Sequence, residues 1–431
     1  MYRRTSAQSG PRLLEDTDTR LRAPRRYRRR VLNRTLDDSY SAEVRSNITL
    51  LTLARVAANA CFRFAPAFLA TIASGLGVSL DRLGVALAIS ELSGLLSTVT
   101  GSVAERLHRR TAMWVGLLGV AAGTTLAATS PHLVVFTIAL VIIAQSKVMF
   151  DLGLGAFIAD RVPFERRGRV MGITEISWAG GLLLGVTAMG LLTAATSWRW
   201  GYGLGAAGVV ALAALVARSI PGDLATHGHA QRREHIVGRV SRHGLLVVLG
   251  VFCLMASSQV LFVTFSSWLK DEFAMSDTGI SIVVFGMGFG ELIASIAAAR
   301  FSDRLGKDRA AAIGAGIMVP AALLLSLGHQ SMALALPLLV VAIAAFEFSV
   351  VSFIPLGTEV VPGAAAKGMA LMFTMGTFGR ALASIPATAI YVRHGMAWPP
   401  LLCAALAAAT VTVLWRVRRA TPVEATAAPS A

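Results

Sequence analysis

Ionisable residues interrupt otherwise apolar stretches of this 431-residue chain, among them Arg63, Glu91, Lys147, Asp151, Glu175, Glu291, Glu347 and Arg380. Placing such a group in hydrocarbon costs about 2.5–3.5 kcal/mol on insertion scales, so each must find a counter-charge, face an interior or mark a path for ions. Arg63 and Glu91 lie midway along neighbouring apolar runs and are expected to pair. Lys147 and Asp151 are four apart, hence on one helix face and able to bridge, and Glu175 comes to a similar depth. Glu291, Glu347 and Arg380 repeat the theme later in the chain. A buried carboxylate whose arginine partner changes can bind a proton on one side and release it on the other, because desolvation favours the neutral acid and a guanidinium favours the ionised one. Glu91, Asp151, Glu175, Glu291 and Glu347 are the candidates for that chemistry; the alternative is that they pin helices together.

The elements that must position these residues follow from the apolar runs. Hydrophobic residues make up 55% of the chain and charged residues 15%. A helix crossing the hydrocarbon layer needs roughly 20 mostly apolar residues, because its backbone must satisfy its own hydrogen bonds. Twelve such runs can be marked: 48–73, 83–104, 111–129, 132–158, 170–193, 200–216, 244–269, 279–298, 310–327, 332–353, 369–391 and 398–417. The expected fold is an all-α integral membrane protein, with twelve transmembrane helices in two pseudo-symmetric six-helix bundles. Residues 1–46 read as a basic, disordered tail, 47–218 as the first bundle, 219–243 as a linker, 244–418 as the second bundle and 419–431 as a second tail.

Arginine and lysine concentrate in alternate loops, which by the positive-inside rule places both termini in the cytoplasm of a cell with the chain in its plasma (inner) membrane. Trp198, Trp200, Trp268 and Trp398 then fall at the opposite interface. The formal charge of +16 and the run "RAPRRYRRR" fit contact with anionic lipid, at about 1 kcal/mol per basic residue, better than nucleic acid. Cys61, Cys253 and Cys403 lie inside apolar runs without metal-ligand spacing and read as small buried residues. His227 and His229, in "HGH", read as part of a solvated linker, so no metal is expected.

One short sentence appears twice, about two hundred residues apart: "GSVAERLHRR" from Gly101 and "ARFSDRLGKDR" from Ala299, each between two apolar runs. A duplicated charged hairpin points to an internal repeat of the whole span set. Two further matches agree, "FDLGLGAFI" from Phe150 with "FEFSVVSFI" from Phe346, and "ISEL" around Glu91 with "FGEL" around Glu291. Here the chain resembles the major facilitator superfamily, whose signature after the second helix has the form G-x-x-x-D-R-x-G-R-R/K. Gly101, Glu105, Arg106, Arg109 and Arg110 fall on it, with Glu105 for the aspartate and His108 for a glycine; Asp303, Arg304, Gly306 and Lys307 match the second-half version.

The resemblance, which covers residues 48–417, implies that these hairpins latch the cytoplasmic ends of two rocking bundles. It also implies an arginine near Lys147 in the fourth helix, which Lys147 replaces approximately. The fifth-helix motif of drug antiporters is matched by Gly172, Gly181 and Gly185 but not by Leu182 and Val186. A cavity lined by Phe62, Phe150, Phe285, Phe289, Phe346 and Met375 is expected. The function so implied is secondary active transport driven by the proton gradient, with export of a small amphipathic compound such as a drug or sugar-like metabolite. Uptake, lipid transport and a non-transporting sensor are the alternatives. No nucleotide-binding loop or catalytic constellation is visible, so no cofactor and no enzyme activity is expected. Lipid and the small-molecule substrate are the expected partners of a functional monomer, with no nucleic acid.

Overall fold

The computed structural model of the chain describes Leu36 and residues 40–220, 240–362 and 364–420. The terminal tails to residue 35 and from residue 421, and most of the expected linker with His227, His229 and His235, lie outside the described residues. Among the described residues every regular element is helical.

The first half of the chain forms α1 (Ala42–Ala67), α2 (Leu69–Leu76), α3 (Leu80–Leu92), α4 (Ser97–Arg106), α5 (Arg109–Thr129), α6 (Leu133–Arg161), α7 (Phe164–Gly180), α8 (Thr187–Ala195) and α9 (Trp198–Ser219). The second half forms α10 (Arg242–Phe273), α11 (Asp277–Leu305), α12 (Lys307–Gly328), α13 (Met332–Phe353), α14 (Ala365–His394) and α15 (Pro399–Ala420). A 3-10 turn at Ser93–Leu96 joins α3 to α4, and a π-helical turn at Gly181–Val186 joins α7 to α8. Eleven of the twelve expected apolar runs therefore fall on one helical rod, a single helix or helices joined by such a turn, whereas the first, 48–73, crosses from α1 into α2 at Phe68. We call the end of the molecule where α1 begins and α9 ends the tail side, and the opposite end the far side.

Side-chain caps set where several rods begin. The Ser41, Ser241 and Ser276 hydroxyls accept from the amides of Val44, Gly244 and Gly279, satisfying donors that the first helical turn leaves free. The two copies of the charged hairpin end differently. Gly306 turns between α11 and α12 at φ +85°, a region open to glycine, whereas His108 at the matching place is extended at φ −60°. The replacement of glycine by histidine is thus accommodated by a different turn.

Among the described residues, ten helices are long and apolar enough to cross a membrane, or eleven if Leu69–Leu76 and Leu80–Leu96, bent by 112° to one another, count as one span. The rod α14 is not among them, which departs from the expectation of twelve apolar spans. It is shielded by protein: α14 packs along α10 on one side and along α3 on the other. Within each half, small residues bring rods close. A Cβ on Gly116 would meet the Phe150 backbone nitrogen at 2.6 Å, and one on Gly314 would meet the Ala345 carbonyl oxygen at 2.7 Å, so only glycine lets α5 reach α6 and α12 reach α13.

The halves meet along two seams. At one, α3 lies on α14; at the other, α11 lies on α7, the π turn and α8. On the far side, Thr71 donates to Asp277 across the halves at 2.6 Å, Gly84 abuts Thr388, and Gly190 abuts Ser281. Deeper in, Gly288 faces the Leu183 backbone, and a Cβ on Gly94 would meet Thr377 Cγ2 at 2.8 Å. The molecule is therefore drawn together from its far side to its middle.

Candidate functional site

Midway along the rods, two ion pairs cross between the halves. Arg63 of α1 holds Glu291 of α11 with both ends of its guanidinium, Nη1 to Oε2 at 2.8 Å and Nη2 to Oε1 at 2.6 Å. Nη1 also donates to the Trp178 carbonyl at 2.9 Å, and the guanidinium lies over the rings of Trp178 and Phe262, 4.6 and 5.3 Å from their centroids. At the other seam, Arg380 of α14 donates from Nε (2.9 Å) and Nη2 (2.8 Å) to a single oxygen of Glu91 in α3.

These pairs correct the expected Arg63–Glu91 contact. Reading the first half alone places Glu91 toward its chain neighbour α1, but α3 presents its buried face to α14 of the other half. The two glutamates of the repeated "SEL" and "GEL" segments are both buried, and each is met by an arginine from the opposite half.

A second cluster belongs to the first half only. Lys147 bridges Asp151 at 2.6 Å, as their four-residue spacing requires. Asp151 also accepts from Arg55 Nε at 3.0 Å, while Arg55 Nη1 reaches Glu175 at 2.8 Å and the Thr174 carbonyl at 3.1 Å. Arg55 and Trp178 are the residues that sequence reasoning missed. Arg55 stands in the apolar run of α1 two turns before Arg63, which was its only signal. Trp178 lies between the clusters, with the Lys147 ammonium 5.8 Å from its ring centroid and 5.9 Å from that of Phe62.

Glu347 of α13 makes no ion pair among those described. One of its oxygens accepts from Ser295 at 2.6 Å and the other is buried without a hydrogen-bond partner. A buried carboxylate oxygen left unsatisfied is costly, which marks this acid as distinct from the ion-paired ones.

The expected aromatic cavity is only partly assembled. Phe62 and Met375 are half-buried, Phe62 with its ring beside the Lys147 ammonium. Phe150 is fully buried, its backbone against Gly116, and Phe346 is buried within the second half, so both serve packing. Phe285 and Phe289 lie with Ile282, Ile293 and Ile296 on an exposed stripe that runs the length of α11. Helical spacing sets that stripe on the side away from Glu291, which fits contact with lipid tails. Of the four tryptophans expected at the far interface, Trp200 and Trp398 are exposed, whereas Trp198 and Trp268 are buried in packing. All three cysteines are buried and free.

In the hairpins, Arg106, Asp303, Arg304 and Lys307 are exposed, Gly101, Arg110 and Gly306 are half-buried, and Arg109 Nε binds Asp160 at 2.9 Å. The Glu105 side chain lies outside the described residues. In the fifth-helix motif, Gly181 and Gly185 carry the π turn onto α1, packing on Asn59 and Ala60, whereas Gly172 faces open space.

The sequence profile described as "Major Facilitator Superfamily" matches residues 49–246 and again 247–430. The uncharacterized MFS-type transporter YwfA of Bacillus subtilis (strain 168) is 24% identical over 229 residues, 50% of this chain and 53% of that protein; the chain thus spans about half the length of this curated relative. A solved bacterial homolog of the human lysosomal transporter Spinster, inward-facing and unoccupied, superposes with a TM-score of 0.68 over 88% of this chain and 98% of that one, at 12% identity. The human organic anion transporter MFSD10 (TETRAN) superposes with a TM-score of 0.61 over 87% and 100%, at 19% identity. At these identities the solved structures establish a shared fold.

Proposed function

The chain belongs to the major facilitator superfamily, and from that premise we propose that it is a secondary active transporter that exports a small amphipathic compound in exchange for protons. The observation that carries this reading is the pair of arginine–carboxylate contacts across the seams, Arg63 with Glu291 and Arg380 with Glu91. Opening the far side separates the halves and so parts each carboxylate from its arginine. A proton is the smallest substitute counter-charge, so protonation on one side and re-pairing on the other link the rocking to a proton gradient.

The tail side is cytoplasmic in this reading, with the chain in the plasma membrane. The halves touch from the far side to the middle, which supports a state open toward the tail side. Glu105, Arg106, Arg109 and Arg110, with Asp303, Arg304, Gly306 and Lys307, are the residues that would latch the tail side when the far side opens. The half-buried Lys147, Trp178 and Phe62 offer an ammonium beside aromatic faces, suited to a compound with a polar end and an apolar body. An organic anion is a second reading of the substrate, supported by the Lys147 ammonium and by the description of MFSD10.

The test uses proteoliposomes containing the full chain and a pH-sensitive dye, challenged with a panel of amphipathic compounds under an imposed pH gradient. Compound movement should drive counter-movement of protons. Movement that ignores the gradient would overturn proton coupling, and no movement of any compound under either gradient would overturn transport.

A further inference from the structure

Three buried or half-buried acids near the middle of the rods are held by cations: Glu91 by Arg380, Glu291 by Arg63, and Asp151 by Lys147 and Arg55. Glu347 of α13 is built differently. It is 3% exposed, and among the described residues its carboxyl meets one neutral donor, the Ser295 hydroxyl, 2.6 Å from Oε1, while Oε2 is buried with no partner. A negative charge there would lack a counter-charge on both oxygens and a donor on one. A buried carboxyl escapes that cost by keeping its proton.

Ser295 fixes where this acid stands relative to the sealed seam. It follows Glu291 by four residues, so it shares that face of α11 and lies one turn nearer the tail side. Glu347 is thereby set beside the Arg63–Glu291 pair, toward the side on which the halves part. The charged groups close enough to act on its carboxyl are Glu291 of α11, Arg63 of α1 and Glu175 of α7. The other rods against α13 are α10, charged only at its ends, and α12, charged only at its start. Glu359, in the 3-10 turn after α13, pairs with His243 at 3.6 Å.

We propose that Glu347 holds the exchanged proton, on Oε2, and that losing it unlocks the Arg63–Glu291 seam. The direction of this switch rests on the proton exchange proposed above. With Glu347 neutral, Arg63 has one carboxylate to serve and grips it at two points. When Glu347 gives its proton to water on the tail side, a second carboxylate stands beside the same guanidinium, and the like charges repel. Arg63 is then shared, the grip on Glu291 loosens, and the far side opens. Uptake of a proton by Glu347 from far-side water restores the single pair and closes that side again. Each cycle carries one proton from the far side to the tail side against one outward step of the compound.

Spin labels on Thr129→Cys and Arg393→Cys, exposed at the far-side ends of α5 and α14, report opening through the distance between them. The full-length chain without Cys61, Cys253 and Cys403 is the background. The far-open fraction should rise about tenfold from about pH 5 to about pH 9. Glu347→Gln, fixed in the neutral shape, should stay at the low-pH fraction throughout, whereas His329→Gln, at the far-side histidine beside Glu272, should keep the response. In the infrared, the carbonyl stretch of a protonated carboxyl should be present in the wild type, shifted in Ser295→Ala and lost in Glu347→Gln. A wild-type fraction that ignores pH, an equal response in Glu347→Gln, a response lost in His329→Gln, or a neutral-carboxyl band left whole in Glu347→Gln would each overturn the proposal. In proteoliposomes, Glu347→Gln that exchanges compound for protons like the wild type overturns the role of Glu347 and leaves the transport reading standing. A pH response that needs Glu347, without movement of any compound, supports the switch and overturns the transport reading alone.

Discussion

The two seams use the same pair of residue types in different surroundings. At the α1–α11 contact both charged side chains are nearly sealed, 6% and 0% exposed, and the guanidinium is gripped at two oxygens, capped by a carbonyl and sandwiched by two rings. At the α3–α14 contact the side chains are 11% and 9% exposed, and both donors share one carboxylate oxygen. The first is a two-point grip with water excluded, and the second a one-point clasp with a free oxygen. Burial raises both the attraction within a pair and the penalty for leaving one charge alone. The α1–α11 pair should therefore behave as the lock of the far-closed state, and the α3–α14 pair as the contact that opens first.

The largest effect is expected from Glu291→Ala, which strands Arg63 in the sealed seam. Breaking a buried pair costs about 3–5 kcal/mol, visible as a steep fall in the melting temperature of the purified protein. A cost below about 1 kcal/mol would mean that Arg63 finds another acid and that the two seams are alike. Glu91→Ala should cost less, about 1.5–3 kcal/mol, the worth of hydrogen bonds to a charged group. If it costs as much as Glu291→Ala in the same melting assay, the contrast between lock and clasp fails.

Glycines sharpen the comparison further. A Cβ on Gly288 would meet the Leu183 backbone nitrogen at 2.5 Å, a neighbour that cannot rotate away, whereas one on Gly84 would meet the Thr388 side chain, which can. Gly288→Ala should accordingly destabilise the far-closed state by about 1–3 kcal/mol, and Gly84→Ala by less. Far-side accessibility of single cysteines to a membrane-impermeant maleimide, in a background without Cys61, Cys253 and Cys403, reads the difference. Equal labelling of the two variants would make the seams equally rigid. The smallest effect is expected from Phe289→Ala, on the exposed stripe of α11: within about 0.5 kcal/mol of wild type, with transport in proteoliposomes unchanged. A loss of transport would return Phe289 to the cavity wall.

The sequence was most legible where the signal is local. Apolar run length marked the rods, the four-residue step from Lys147 to Asp151 marked their bridge, and the duplicated hairpin marked the repeat. What it concealed depends on how the halves face each other. Arg63 and Glu291 are 228 positions apart, and nothing in the neighbourhood of either names the other. Pairing Arg63 with Glu91 assumed that rods adjacent in the chain face each other, whereas α3 is turned toward α14. Arg55 was overlooked because a basic residue near the start of a span reads as part of the flanking charge. The misplaced phenylalanines had the right type, but composition does not say which side of a helix looks inward.

The clasp between Glu91 and Arg380 also bears on how the protein is made. The two are separated by 289 positions, so a ribosome adding about 5–20 residues per second leaves Glu91 without its arginine for roughly 15–60 s. During that interval α3 sits in the bilayer with an unmatched acid. When α14 emerges it is itself outside the set of helices apolar enough to cross on their own. Each of these two rods supplies what the other needs to remain in lipid. Their docking therefore falls late in synthesis, once α14 has emerged, and depends on both rods.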